Sequence, residues 1–453
     1  MSGPESAVPE GAGPVWVSGP GTGAGRGGLL RPALIGLGLL GAVAAILLIV
    51  LLQRQPDPAA EGSPSPSGAS PSPAPTGSAA SSTADPTPEP TSSAPPAIPE
   101  TWTEAAVFSE AGKRYVLGDL VAWSDGLVAA GTLYEDDARG VFGPPPPRAG
   151  RVWRSTDGTD WTDATPEGTF GDVELVHLYE AADGALIVIG HAYPEVDPVS
   201  AAWETRDGET WTPVELAGIP EGAFVQQLAS GARGHVASTF VGADAHALYS
   251  ADGRSWEPTL DGAPLGMVAA GDEGFVASVS SDDPAEPSHR VVASADGREW
   301  FDATEPDDGS FLAAPRGGDW IGATTRIDPD DRSVSVATWG SANGLEWERL
   351  GEMALAGEDP FGLDCAEIPA VLHGLSTMTV TGTVLTFGCG EGAVVTAGGS
   401  YASLDGAEWT RLPFGGQAFA AGAAMIGDRV VIGTDARTNT SDVIGITFWV
   451  SEP

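Results

Sequence analysis

One seven-residue pattern recurs six times in this chain and constrains its fold more than any other feature. The copies are Ser155-Thr-Asp157-Gly158-Thr-Asp-Trp161, Thr205-Arg-Asp207-Gly208-Glu-Thr-Trp211, Ser250-Ala-Asp252-Gly253-Arg-Ser-Trp256, Ser294-Ala-Asp296-Gly297-Arg-Glu-Trp300, Ser341-Ala-Asn343-Gly344-Leu-Glu-Trp347 and Ser403-Leu-Asp405-Gly406-Ala-Glu-Trp409. Asp-Gly or Asn-Gly between short apolar runs signals a hairpin, because Gly and Asn tolerate positive φ. The Ser or Thr and the Asp can hydrogen-bond the turn's own backbone, which leaves the Trp to fold back over it. The residue two places before each Ser or Thr is bulky: Trp153, Trp203, Leu248, Val292, Trp339 and Tyr401. Alternate residues of a strand share a face, so this position is buried on the strand that enters the turn.

Two further strand-like runs precede each turn. In the second copy they are 173–179 and 185–190, separated by Ala-Ala-Asp-Gly; in the third they are 224–229 and 234–240. Each repeat therefore holds four short strands in about 45–60 residues, the period of a propeller blade. Trp102, in Glu-Thr-Trp-Thr-Glu, matches the Trp and outer strand that close a turn, and the run from Ile446 to Ser451 matches the strand that enters one. The start of the repeat region thus supplies an outer strand to a blade whose three inner strands come from its end, which protects the sheet edges. Six complete copies and one split copy lead to an all-β, seven-bladed β-propeller over residues 100–453.

These segments resemble the Asp-box (BNR) repeats of sialidase-like β-propellers, whose pattern is Ser/Thr-x-Asp-x-Gly-x-Thr/Ser-Trp. Every copy here is one residue shorter, between Asp and Gly. The resemblance implies that Asp157, Asp207, Asp252, Asp296, Asn343 and Asp405 are structural, on the face opposite a binding site. A sialidase would also carry an arginine triad, a Tyr/Glu nucleophile pair, an acid/base Asp and a Phe/Tyr-Arg-Ile-Pro motif. The nearest string, Thr325-Arg326-Ile327-Asp328-Pro329, lacks the aromatic and has Asp inserted. No catalytic residue is assigned on this basis. A two-carboxylate glycosidase has no carboxylate pair that stands out.

The N-terminal third has a different character. Residues 1–32 are rich in Gly, Pro and Ala and read as a disordered segment. Residues 33–52 form an uncharged apolar run, about the 20 residues needed to cross a hydrocarbon core. It exceeds the roughly 7–15 residues of a cleaved signal's apolar region, and reads as a single transmembrane helix. Arg26 and Arg31 before it predict a cytoplasmic N-terminus. Residues 53–99 are mostly Pro, Ser, Ala, Thr and Gly, a disordered stalk that can extend on the order of 100 Å. The propeller is thus expected outside the cell, on a cell membrane.

Asp and Glu number 62 against 21 Lys and Arg, a net charge of −41. Nucleic-acid binding needs a basic footprint and is not expected; cations or basic proteins are the partners such a charge attracts. The loops joining second to third strands hold Asp136 and Asp137, Glu195 and Asp197, Asp282 and Asp283, and Asp328, Asp330 and Asp331. They are the candidates for a metal or a basic partner, and all-oxygen sets favour calcium over zinc. No Cys/His cluster has zinc-site spacing. Cys365 and Cys389, the only cysteines, are expected to form a disulfide outside the cell. The leading expectation is a non-enzymatic binding module with an unknown extracellular ligand, a glycan or a basic protein. The alternatives are an exported sialidase-like glycan hydrolase and a structural envelope protein.

Overall fold

The computed structural model describes residue 99 and residues 101–452, except 136–147, 194–197, 243, 261–264, 281–288, 305, 307–309, 328–333, 355–369, 377–380, 392–393, 404, 414–418 and 438–443. The chain divides into two compact units, Met1–Ser93 and Ala94–Pro453. The segments 1–32, 33–52 and 53–98 lie outside the described residues. Among the described residues no helix is long and apolar enough to cross a membrane, and every regular element is a strand.

The fold is a β-propeller of four-stranded antiparallel meanders. Val173–Glu180, Leu186–Ala192, Val199–Thr205 and Thr212–Pro213 make one complete sheet. Four more sheets of four strands follow, beginning at Phe224–Gly231, Leu265–Gly271, Ser310–Arg316 and Ala370–Ser376. Each first strand packs on the next in chain order, and Phe419–Ile426 returns against Arg114–Trp123, so the first strands form the inner ring.

The sequence leads one to expect seven separate blades, and here it needs correcting: the strands form six hydrogen-bonded sheets, one of them eight-stranded. That sheet holds Arg114–Trp123, Gly126–Tyr134, Arg148–Ser155 and Thr162–Asp163 together with Phe419–Ile426, Arg429–Arg437, Ile444–Ser451 and Trp102–Phe108. The reason is local. Trp102–Phe108 pairs antiparallel with Ile444–Ser451, Trp102 opposite Ser451 and Phe108 opposite Ile446. The chain then turns at Glu110, whose carbonyl accepts from Lys113 N–H at 3.1 Å. Arg114 is thereby brought beside Ile444 in a single parallel pair, which fuses the two halves. The pairing of 102–108 with the last strand is the closure that the repeat pattern leads one to expect.

The bulky residues ahead of the turns are all buried, from Trp153 at 0% exposed to Trp339 at 7%. A buried Trp removes about 150–250 Å² from water, roughly 4–6 kcal/mol before entropy at about 25 cal/mol per Å². Trp161 stacks on Phe448 with ring centroids 3.8 Å apart, so the first turn's indole also seals the last strand. The inner strands carry bulges at matching places, after Leu117, Leu175, Val225 and Ala420. A bulge bends the strand and re-aims the next side chain, here Asp119, His177 and Gln227, with Gly422 at the matching place in the fourth. Gly118, inside the first bulge, lies so close to its neighbour that a Cβ there would come 2.2 Å from the Leu175 carbonyl oxygen.

Candidate functional site

On one face the six turns close on themselves. The glycine of each has φ between +70° and +79°, as at Gly208 and Gly253, a region that L-residues with a side chain avoid. Gly158 N–H donates to Ser155 Oγ at 2.8 Å, and Asp157 Oδ1 accepts from Thr159 N–H at 2.8 Å and Asp160 N–H at 2.9 Å. The same bonds recur at Asp207, Asp252, Asp296, Asn343 and Asp405. The indole N–H of Trp161, Trp300, Trp347 and Trp409 donates back to the turn glycine's carbonyl. These N–H donors, Asp160's first and then Thr159's, hold the Asp157 carboxyl down at about 2. Thr210 and Glu209 N–H do the same at Asp207. A carboxylate satisfied this way is a structural acceptor.

Arginines lace neighbouring turns. Arg154 donates to the Asp207 carbonyl at 2.9 Å. Arg254 reaches Asp183 at 3.0 Å and also Glu204, and Arg206 pairs with Asp183. Arg298 donates to Glu257 at 2.7 Å and lies over the Tyr249 ring.

The opposite face carries a different arrangement where the first two meanders meet. Tyr134 ends Gly126–Tyr134 and Arg148 begins Arg148–Ser155, opposite one another in register, so they are the two feet of the longest of the loops that join second to third strands. Both contact Glu174, from the start of Val173–Glu180. Tyr134 Oη donates to Glu174 Oε1 at 2.7 Å, Tyr193 Oη donates to Oε2 at 2.9 Å, and Arg148 Nη1 reaches Oε1 at 2.5 Å. Arg148 Nε lies 3.2 Å from the exposed Asp172 carboxylate, while its own side chain is 2% exposed. Its guanidinium sits over the Tyr193 ring at 4.1 Å, and Arg114 sits over Tyr134 at 3.9 Å. Burial, reinforced by Glu174, pushes the Tyr193 hydroxyl up to about 12 and that of Tyr134 still further. Both phenols therefore stay protonated. Glu174 accepts three side-chain hydrogen bonds, two at Oε1 and one at Oε2, and the Arg148 charge is already paired.

Two polar links join the inner strands. Asp119 accepts from Leu120 N–H at 2.7 Å and, across the seam, from Leu178 N–H at 2.9 Å. Burial pushes its carboxyl up to about 6 against the pull of those bonds. His191 Nε2 lies 2.8 Å from the Val225 carbonyl, and His177 is 6.5 Å from His191 between ring centroids. A cavity of about 240 Å³ faces the inner strands, lined by Ala229, Met267, Val268, Leu312, Ala313 and Ala423 among others. None of its lining residues among the described ones is titratable.

The acidic residues proposed for a metal or basic partner, Asp136, Asp137, Glu195, Asp197, Asp282, Asp283, Asp328, Asp330 and Asp331, lie outside the described residues. So do Cys365 and the side chain of Cys389. Among the described residues, no group of three or more His, Cys, Asp or Glu could hold a metal ion. His246 is exposed and His191 is buried under Phe224, 4.2 Å between centroids. Sequence reasoning missed Tyr134, Arg148, Glu174 and Tyr193. A signal existed: Tyr and Arg at the two feet of the longest second-to-third-strand loop, and a charge between Val173 and Leu175 on an inner strand.

No protein-family description matches the sequence, and no curated protein matches it. Solved structures do align. The β-propeller domain of the Trilobed protease from Pyrococcus furiosus, with an open velcro topology, shares 11% identity over 74% of this chain and 93% of its own, with a TM-score of 0.43. Trypanosoma rangeli sialidase in complex with sialic acid shares 14% over 74% of this chain and 54% of its own, at 0.38. The GH93 α-L-arabinofuranosidase of Fusarium graminearum shares 14% over 76% and 97%, also at 0.38. Likeness at this level carries no argument about activity.

Proposed function

We propose that the chain is a binding module displayed at a cell surface, and that its ligand engages the face opposite the turns. One observation carries this reading: the only deeply buried charge cluster on that face among the described residues, Arg148 with Glu174, Tyr134 and Tyr193, spends its hydrogen bonds internally. It serves to seat the feet of the loop that carries Asp136 and Asp137. A rigid base under a loop that carries acidic residues is the usual division of labour between scaffold and loop. The ligand class is a basic protein or peptide, or a cation such as calcium held by the loop carboxylates.

The finer architecture belongs to this proposal. The fused eight-stranded sheet counts as two blades sharing one bridge, which gives seven repeats. The turns are shortened Asp boxes of the BNR kind. Residues 33–52 anchor the chain, 53–99 form the stalk, and Cys365–Cys389 is an extracellular disulfide.

A second reading, a glycan hydrolase, draws on the Tyr134–Glu174–Tyr193 contact, since a phenol beside a carboxylate is a nucleophile–base pair in outline. Turnover separates the two. The purified chain is incubated with a fluorogenic sialoside and a fluorogenic arabinofuranoside, with and without calcium. The binding reading expects no release above a heat-treated control; release abolished by Glu174→Gln would replace it with the hydrolase.

A further inference from the structure

Between the second and third meanders lies a contact built on two neutral imidazoles. His191 is buried, 5% exposed, and its Nε2 lies within hydrogen-bond distance of the Val225 carbonyl. Since a carbonyl only accepts, Nε2 carries the proton. His177 follows the bulge of Val173–Glu180, which aims it at the same bulge of the third meander; the Gln226 and Val225 carbonyls face its ring. Its Nε2 is shut off from solvent and closes no well-formed hydrogen bond. Val225 is fully buried, and its own N–H is taken by Ser200 Oγ at 2.8 Å. The seam therefore holds these two imidazoles 6.5 Å apart, and a third, the buried His235, stands on its third-meander side, 5.1 Å from the Tyr179 ring and with Nδ1 2.8 Å from Ser230 Oγ.

The surrounding charges do little to welcome a proton. Glu174 stands opposite His191 in register, and its attraction raises the His191 pKa. That carboxylate is already bonded to Arg148, Tyr134 and Tyr193. From the third meander the facing groups are the Phe224 ring and two backbone carbonyls. On the first-meander side, Asp119 spends its oxygens on the N–H groups of Leu120 and Leu178. A second proton on either ring would place a cation in a dry seam, and protons on both would set like charges side by side.

We propose that His177 and His191 form an acid-sensitive seam: protonation of the pair loosens the second meander from the third, next to the Glu174 cluster, while the other seams hold. The sign follows from burial, which lowers both pKa values, that of His177 to about 4 with the His191 charge adding to the effect. A group with a depressed folded pKa that binds a proton more readily when unfolded loses stability as pH falls. The window runs from the unfolded histidine value, about 6.5, down through about 4.

Hydrogen exchange followed by mass spectrometry on the full chain, corrected for the intrinsic pH dependence, tests this. Between pH 6.5 and 4.5, protection of Phe224–Gly231 should fall about tenfold or more, since each pH unit of linkage is worth tenfold in an opening equilibrium. Protection of Arg429–Arg437, which packs on Arg114–Trp123 across a seam with no histidine in either strand, should change by less than about threefold. In a His235→Gln background, which removes the imidazole bonded to Ser230, adding His177→Gln and His191→Gln should bring Phe224–Gly231 to the behaviour of Arg429–Arg437; the single variants serve if the combined one does not fold at pH 7. Unchanged protection at 224–231 in the natural chain, or an equal loss in the variants, would overturn the proposal.

Discussion

The two faces of this propeller solve opposite problems with the same residue types. On the turn face, Asp157 and its counterparts are exposed carboxylates held by backbone N–H groups a few residues away, so each turn is complete without its neighbours. On the loop face, Glu174 has no such local partners. It is satisfied only when Tyr134 and Arg148 arrive from one meander and Tyr193 from its own. A local carboxylate can be copied along the chain without further adjustment. Among the described residues, a carboxylate bonded to three side chains from other strands or loops occurs once, and it joins two meanders where the first kind joins none.

That difference is open to breakage by substitution, and the largest effect belongs to the loop face. Arg148→Ala leaves Glu174 with two phenols and no countercharge. Loss of one partner of a buried pair costs about 3–5 kcal/mol, and denaturant unfolding should show it. Glu174→Gln keeps the shape but offers one accepting oxygen where the carboxylate has two, so one phenol loses its acceptor, and Arg148 is left with Asp172 as its countercharge. About 1–3 kcal/mol is expected, the cost of a charged hydrogen bond lost from a buried group. Ser155→Ala removes the acceptor of Gly158 N–H, which is buried, and should cost about 1–2 kcal/mol. A loss at Ser155 as large as that at Arg148 would erase the distinction between the faces.

The turn face also has its own acid limit. Asp157 is held at about 2, against an ordinary value near 4. Its contribution is complete above about pH 4 and is lost as pH falls towards 2, well below the histidine window of the second seam. Thermal melts at pH 4 and pH 2.5 should therefore differ more for the natural chain than for Asp157→Asn. The smallest effect is expected at Asn343→Asp, which makes the fifth turn like the other five. Asn343 Oδ1 already accepts both N–H bonds, at 2.9 and 3.0 Å, so the charge adds at most about 0.5–1 kcal/mol at neutral pH, seen as a slight rise in melting temperature.

The repeat unit was legible because its signal is local. Asp-Gly between apolar runs, with Trp three residues on, specifies a hairpin whichever sheet it joins, and the buried Trp153, Trp203 and Tyr401 follow from strand alternation. Sheet count was not legible, because it turns on one parallel pair, Arg114 with Ile444, between residues 330 apart in sequence. The Glu174 cluster was hidden for the same reason. Tyr134, Arg148, Glu174 and Tyr193 come from four places in the chain, and none carries a motif of its own. Conversely, the acidic loops dominate a reading of charge because composition is visible without a fold.

The division of labour between the faces is tested most directly by binding of the full chain to poly-lysine, titrated at low and at physiological salt. Two charge-neutralised variants of equal charge change are compared. One carries Asp136→Asn, Asp137→Asn, Glu195→Gln and Asp197→Asn on the loop face; the other carries Asp160→Asn, Glu209→Gln, Glu299→Gln and Glu408→Gln beside the turns. A loop-face site predicts a loss of about tenfold or more in affinity for the first variant and little change for the second. Equal losses in both would mean that net charge alone attracts the probe, and would contradict a binding site on the loop face.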